Sequence, residues 1–178
     1  IILSGKVKVV QTKESGKEII MAFHQTGDFF GEVSLIDGRT APARVISTED
    51  STIALISKKD FFSLIYSQPK ILDILLQILC TRFREFWDRI QILSFNNATD
   101  RVKMLLICLS NDYGSKTKDG IKINLRLTHQ EIADMAGIAR ETVTRIIDKW
   151  VDEGLLELKD RLIFMKNNFI KTCISPNL

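Results

Sequence analysis

The chain has 178 residues, enough for two small domains or one large one. A hydrophobic share of 45% excludes a disordered chain, and 26% charged residues is ordinary for a globular one. The net charge is only +3, with thirteen Lys/Arg against eleven Asp/Glu over residues 98–178, which excludes a diffuse polycation; attraction to nucleic acid has to come from local placement of charge.

The first third reads as strands. Val7 and Val9 alternate with Lys6 and Lys8, the period-two pattern of a half-buried strand. Glu14-Ser15-Gly16-Lys17 is turn chemistry, and residues 18–23 predict a second strand. Gly27-Asp28 makes another turn, followed by Phe29-Phe30 and Gly31-Glu32. Strands are predicted at 43–46 and 52–56, and Ser57 with Asp60 predicts the cap of a short helix through Phe61, Phe62, Leu64 and Ile65. Residues 1–68 therefore predict a small antiparallel roll or barrel closed by a helix. The chain opens at Ile1 inside a strand pattern and without Met, so an N-terminal piece of this domain is expected to be missing.

A long helix follows. Pro69 suits a first helical turn, having no N–H to leave unsatisfied, and no Gly or Pro interrupts the pattern to about Phe95. Leu72, Leu76, Leu79, Phe83, Phe86, Ile90 and Leu93 alternate spacings of four and three. That is a heptad seam, by which two helices bury a shared stripe. Ile71, Ile74, Leu75 and Ile78 form a second apolar side, predicted to pack on the roll. With an intramolecular stripe already supplied, the seam predicts a homodimer. Residues 69–97 are read as dimerisation helix and hinge, the hinge at Asn96-Asn97.

Residues 98–178 predict a third region. Val102, Leu105, Leu106 and Leu109 mark the inward face of a helix, a polar loop is expected at 111–120, and residues 121–127 predict a strand. Next comes the most informative stretch, LTHQEIADMAGIARETVTRIIDKW. Thr128 and Glu131 form a capping-box pattern; Ile132, Met135 and Ala136 share one side; Gly137 stands at a sharp reversal. In the second helix Val143, Ile146, Ile147 and Trp150 follow core spacing, leaving Arg140, Glu141, Thr144, Arg145 and Asp148 outside. A short braced helix with Arg and Glu near its start is the shape that enters a DNA major groove. Gly154 then ends the helix, and two short strands around Lys159-Asp160-Arg161 predict a wing whose Lys159 or Arg161 meets phosphate.

Other chemistries find little support. Cys80, Cys108 and Cys173 match neither a disulfide framework nor a metal pattern, so a reducing cytoplasm is expected. No apolar run reaches membrane-spanning length. Neither His24 nor His129 lies in a nucleophile–base motif, so no enzyme is expected.

With GDFFGEVSLIDG in the roll, the long helix, the hinge and LTHQEIADMAGIARETVTRII, the chain resembles the Crp/Fnr family of bacterial transcription regulators. The resemblance implies an α+β fold: a partial cyclic-nucleotide-binding-like antiparallel β-roll, a long dimerisation helix and a C-terminal winged helix-turn-helix. It implies base contacts by Arg140, Glu141 and Arg145, and phosphate contacts by Gln130, Thr142 and Lys159. The partners implied are double-stranded DNA with palindromic TGTGA-like half-sites, a second copy of the chain, RNA polymerase (through the loop at 111–120) and a small effector. Arg donating to guanine and Glu accepting from cytosine agree with the base assignments.

At the effector site the match weakens. In cyclic-AMP-binding members Gly-Glu and a later Arg-Ser hold ribose and phosphate. Gly31 and Glu32 remain, but Ala41-Pro42 stand in place of Arg-Ser, with Arg39 and Arg44 nearby. Phe86 and Trp87 replace a Thr-Ser pair that contacts adenine. Cyclic AMP is therefore not the expected effector, and the cofactor is unknown. The alternatives are an apolar or aromatic molecule, haem with His24 as a conceivable ligand, no effector, or a module acting through protein contacts alone.

Overall fold

The computed structural model describes residues 1–12 and 18–173, so the turn expected at Glu14–Lys17 lies outside the described residues. Two compact units divide the chain, one spanning Ile1–Phe83 and one beginning at Arg84.

The first unit contains β1 (Ile2–Ser4), β2 (Lys6–Thr12), β3 (Glu18–Gln25), α1 (Glu32–Asp37), β4 (Arg44–Ser47), β5 (Thr52–Ile53), α2 (Lys58–Ser67) and the start of α3 (Pro69–Ser94). Its strands are antiparallel, in a three-stranded sheet of order β3-β2-β4 and a ribbon of β1 with β5. Simple alternation does not survive in β2. The register shifts between Val9 and Val10, so Val7 and Val10 are buried and Val9 is not. A bulge adds one residue and reverses the facing of everything beyond it. Ile2, Ile20 and Phe23 complete the apolar interior of the roll. Ser57 caps α2 as expected, its Oγ accepting from the Asp60 N–H at 3.1 Å. Helix α1, absent from the expectations, is a single short stretch between two glycines in left-handed conformation.

Along α3 two faces separate. Leu75 is buried and Ile71 and Ile78 half-buried, whereas Ile74 is 47% exposed. One residue before Leu75, it lies about 100° around the helix from that stripe. Of the seam, Leu72 and Leu79 are half-buried, and Leu76, Phe83, Phe86, Ile90 and Leu93 are exposed.

The second unit adds α4 (Ala98–Tyr113), β6 (Gly114–Thr117), β7 (Gly120–Ile123), α5 (His129–Ala136), α6 (Arg140–Asp152), β8 (Leu156–Lys159), β9 (Leu162–Lys166) and α7 (Asn167–Cys173). The stretch expected as a polar loop instead finishes α4 and forms a hairpin with β7, from Gly114↔Ile123 to Thr117↔Gly120. That strand pairs because β7 also joins β9, giving a four-stranded antiparallel sheet of order β6-β7-β9-β8. Val102, Leu105, Leu106 and Leu109 of α4 are buried, as their spacing predicts, together with Ile92 of α3. Trp150 and Phe169 meet edge to face at 5.0 Å between ring centroids. No helix is long and apolar enough to cross a membrane, among the described residues.

Candidate nucleic-acid interface

Local chemistry sets the position of α5 and α6. Thr128 Oγ1 accepts from the Glu131 N–H at 3.1 Å, and Glu131 Oε2 accepts from the Thr128 N–H at 2.9 Å, so the expected capping box is present. Helix α5 stops at Gly137, whose φ of 68° lets its N–H return to the Ala133 carbonyl. A β-carbon there would be strained by that φ and would lie 3.1 Å from Leu93 Cδ2. Fully buried Ala133 leaves room for the helices to approach.

Helix α6 buries Val143, Ile146, Ile147 and Trp150 and exposes Arg140, Glu141, Arg145, Asp148 and Lys149. Thr144 lines the same face, as its spacing predicts, but stands at its edge. It is half-buried, and its Oγ1 lies 2.8 Å from His129 Nδ1, because α5 packs against that flank. The exposed face forms a shallow depression with an internal division of charge. Its N-terminal half carries Arg140, Glu141 and Arg145; its C-terminal half carries Asp148, Asp152 and the Lys149–Glu153 pair at 3.8 Å. No side chain caps the α6 N-terminus, where Ala139 is the N-cap residue.

The three residues expected at phosphate differ in setting. Gln130 is exposed and its Nε2 donates to Asp134 Oδ1 at 2.9 Å; Thr142 is half-buried near the α6 start; Lys159 is exposed at the end of β8.

In the first unit Gly31 has φ 87° and precedes Glu32, which is buried. Sequence reading missed its partner. Arg82 Nη1 donates to Glu32 Oε1 and Nη2 to the Phe29 carbonyl, both at 2.5 Å, with the guanidinium 4.7 Å from the Phe29 ring centroid. The signal was the spacing of Ile71, Leu75, Ile78 and Arg82, which places a cation next along the buried stripe. Burial first, and then the Arg82 charge, depress the His24 pKa below its ordinary 6.5, against the opposing pull of Asp28 and Glu32. Arg44 Nη2 pairs with Glu18 Oε1 at 2.9 Å, and Ala41 and Pro42 are exposed. Phe86 and Trp87 are exposed and belong to the second unit.

A strand roll followed by a long helix, and a helix-turn-helix backed by a winged sheet, define a DNA-binding regulator with a cyclic-nucleotide-binding-type domain. Family models agree on both parts. Residues 1–68 match the cyclic nucleotide-binding domain, and residues 100–167 match the Crp-like helix-turn-helix domain. The chain is 31% identical over 158 residues to the cyclic AMP receptor protein of Thermus thermophilus, covering 89% of this chain and 70% of that one. It is 34% identical over 164 residues to the cAMP-activated global transcriptional regulator of Pasteurella multocida, covering 91% and 78%. A solved structure of a CooA variant from Carboxydothermus hydrogenoformans superposes with a TM-score of 0.82 at 26% identity, covering 97% of this chain and 77% of that one. The chain belongs to the Crp/Fnr family of DNA-binding transcription regulators.

Proposed function

We propose that this regulator acts as a homodimer on a palindromic site with TGTGA-like half-sites, reading bases with Arg140, Glu141 and Arg145. The observation that carries this reading is the exposed N-terminal half of α6, with Arg140 and Arg145 on a helix braced by α5. Its acidic second half repels phosphate, which favours entry of the helix N-terminus first. Thr142, beside an N-terminus without a side-chain cap, fits a phosphate contact, and Gln130 and Lys159 are exposed for two more. We assign the working division of the chain as 1–68 for the sensor, 69–97 for the dimerisation helix and hinge, and 98–178 for DNA binding.

The exposed seam of Leu76, Phe83, Phe86, Ile90 and Leu93, with Leu72 and Leu79 beside it, supports pairing with a second copy through α3. Two-fold pairing offers two copies of α6 to successive grooves. A small effector acting at the roll, near Gly31 and Glu32, shifts the population of DNA-binding arrangements. Relatives named for cyclic AMP support effector control, but this chain lacks the Arg-Ser pair, and the Glu32 carboxylate is already engaged by Arg82. A cyclic phosphate is therefore a poor fit. The roles of Phe86 and Trp87 in effector binding and the contact with RNA polymerase rest on the family resemblance, whereas the cytoplasmic location rests on the scattered cysteines and the absence of catalysis on the lack of a nucleophile–base motif around His24 and His129.

Gel shifts with a TGTGA-type palindrome test the reading, alongside sedimentation of the free protein. Arg140→Ala and Arg145→Ala should each lose about 1–3 kcal/mol of specific binding while leaving non-specific binding nearly intact. A monomeric protein indifferent to a randomised palindrome library defeats the proposal.

A further inference from the structure

The guanidinium of Arg82 sits in the first unit as a ligand would. Its Nη1 donates to Glu32 Oε1, its Nη2 donates to the Phe29 carbonyl, and its Cζ lies 4.7 Å from the Phe29 ring centroid. All three partners are electron-rich: a carboxylate, a carbonyl oxygen and the negative face of a π system. Glu32 is nearly sealed at 6% side-chain exposure, whereas Arg82 keeps 18%, so the cation is the member of the pair that solvent reaches more easily.

The neighbouring groups do not favour an anion. Asp28 places Oδ2 3.9 Å from His24 Nδ1. Burial, and then Arg82, hold the His24 imidazole below its ordinary pKa of 6.5, so it is neutral at neutral pH. Arg44 is paired with Glu18 at 2.9 Å, and Ala41 and Pro42 bring no charge.

Charge then decides which ligand fits. A molecule that parts Arg82 from Glu32 leaves a buried carboxylate without a counter-ion, the most damaging way to break such a pair. A neutral ligand does not offset that loss, and an anionic one adds repulsion to it. A planar cation with several N–H donors remakes each contact that Arg82 gives up, the stacking on Phe29 included.

We propose that the roll takes a small planar cation, a guanidinium or amidinium, at Glu32 and Phe29, and that Arg82 holds that place in the free protein. The inference rests on the effector-controlled reading above and gives its ligand a chemical class. Arg82 belongs to α3, so its release cuts a tie between the roll and the helix that carries the seam. A ligand that favours the released arrangement thereby shifts the population.

The test uses the whole chain and two cationic probes, ethylguanidinium and benzamidinium. Inorganic phosphate and cyclic AMP serve as anionic controls at matched ionic strength. Arg82→Ala removes the guanidinium and leaves Glu32 in place. Its thermal midpoint should fall below wild type and regain about half of the loss in about 10 mM of either cation, but nothing in the anions. Glu32→Gln/Arg82→Ala should regain nothing. In wild type, benzamidinium should change affinity for the palindrome by about fivefold, and Glu32→Gln should abolish that response. Equal recovery with phosphate or cyclic AMP overturns the ligand class, as does no recovery with either cation. A recovered midpoint without any change in DNA affinity overturns the effector role. If Arg82→Ala does not fold, calorimetric titration of wild type and Glu32→Gln with benzamidinium replaces the first arm. Binding lost in Glu32→Gln then supports the inference, and no binding to wild type overturns it. If wild type binds no palindrome with or without additive, the underlying reading fails, while the midpoints still decide the ligand class.

Discussion

A hydrogen bond of 2.8 Å joins His129 Nδ1 at the start of α5 to Thr144 Oγ1 in the middle of α6. It couples the helix anchored by the capping box to the helix that carries Arg140 and Arg145. Thr144→Val keeps the shape and removes the hydroxyl. It should cost about 0.5–1.5 kcal/mol of stability and weaken specific DNA binding by displacing α6 relative to α5. Chemical denaturation and gel shifts on the same preparation check both effects; unchanged values in each would reduce the bond to a surface contact.

Burial makes the Glu32–Arg82 pair asymmetric in its response to mutation. Side-chain exposures are 6% for Glu32 and 18% for Arg82. Arg82→Met strands a buried carboxylate and should destabilise the roll by about 3 kcal/mol, at the low end of the usual range because Arg82 retains some water contact. The Glu32→Gln/Arg82→Met double variant should cost less than the sum of the singles, as a urea-denaturation double-mutant cycle would measure.

His24 predicts acid sensitivity. Its folded pKa is lowered from 6.5, chiefly by burial, so the unfolded chain takes up the proton more readily. The contribution is fully present above about pH 6.5 and is lost as pH falls below that value toward the depressed folded pKa. Melting temperatures from pH 7.5 to 5 should fall more steeply for wild type than for His24→Asn. Parallel curves contradict the linkage.

The α5 cap can be probed alone. Thr128→Ala removes the acceptor of the Glu131 N–H and should cost about 1 kcal/mol, whereas Thr128→Ser should be nearly neutral. Equal melting temperatures for the two variants argue against the capping box as a stabilising element.

Much of the DNA-binding unit was legible because its determinants are close in sequence. A cap spans three residues, a turn glycine acts at one position, and core spacing repeats within two helical turns. Hence Thr128, Glu131, Gly137 and the Val143–Trp150 face were readable before any fold was known. The hairpin of β6 with β7 was not, since residues 114–117 look like a polar loop until β7 finds β9 across forty to forty-six residues. Thr144 does line the outer face, but its bond to His129 was not legible, because helical periodicity gives an outward direction and not which flank a neighbouring helix covers.

Sequence alone determined the family, the two-part architecture and the seam along α3, all of which follow from periodic patterns and short motifs. Tertiary structure decided where a bulge turns Val10 inward, that Arg82 closes on Glu32 and Phe29, and that Asp160-Arg161 forms a strained tip. Those features depend on strand register and on contacts spanning up to fifty-three residues, which no local pattern encodes.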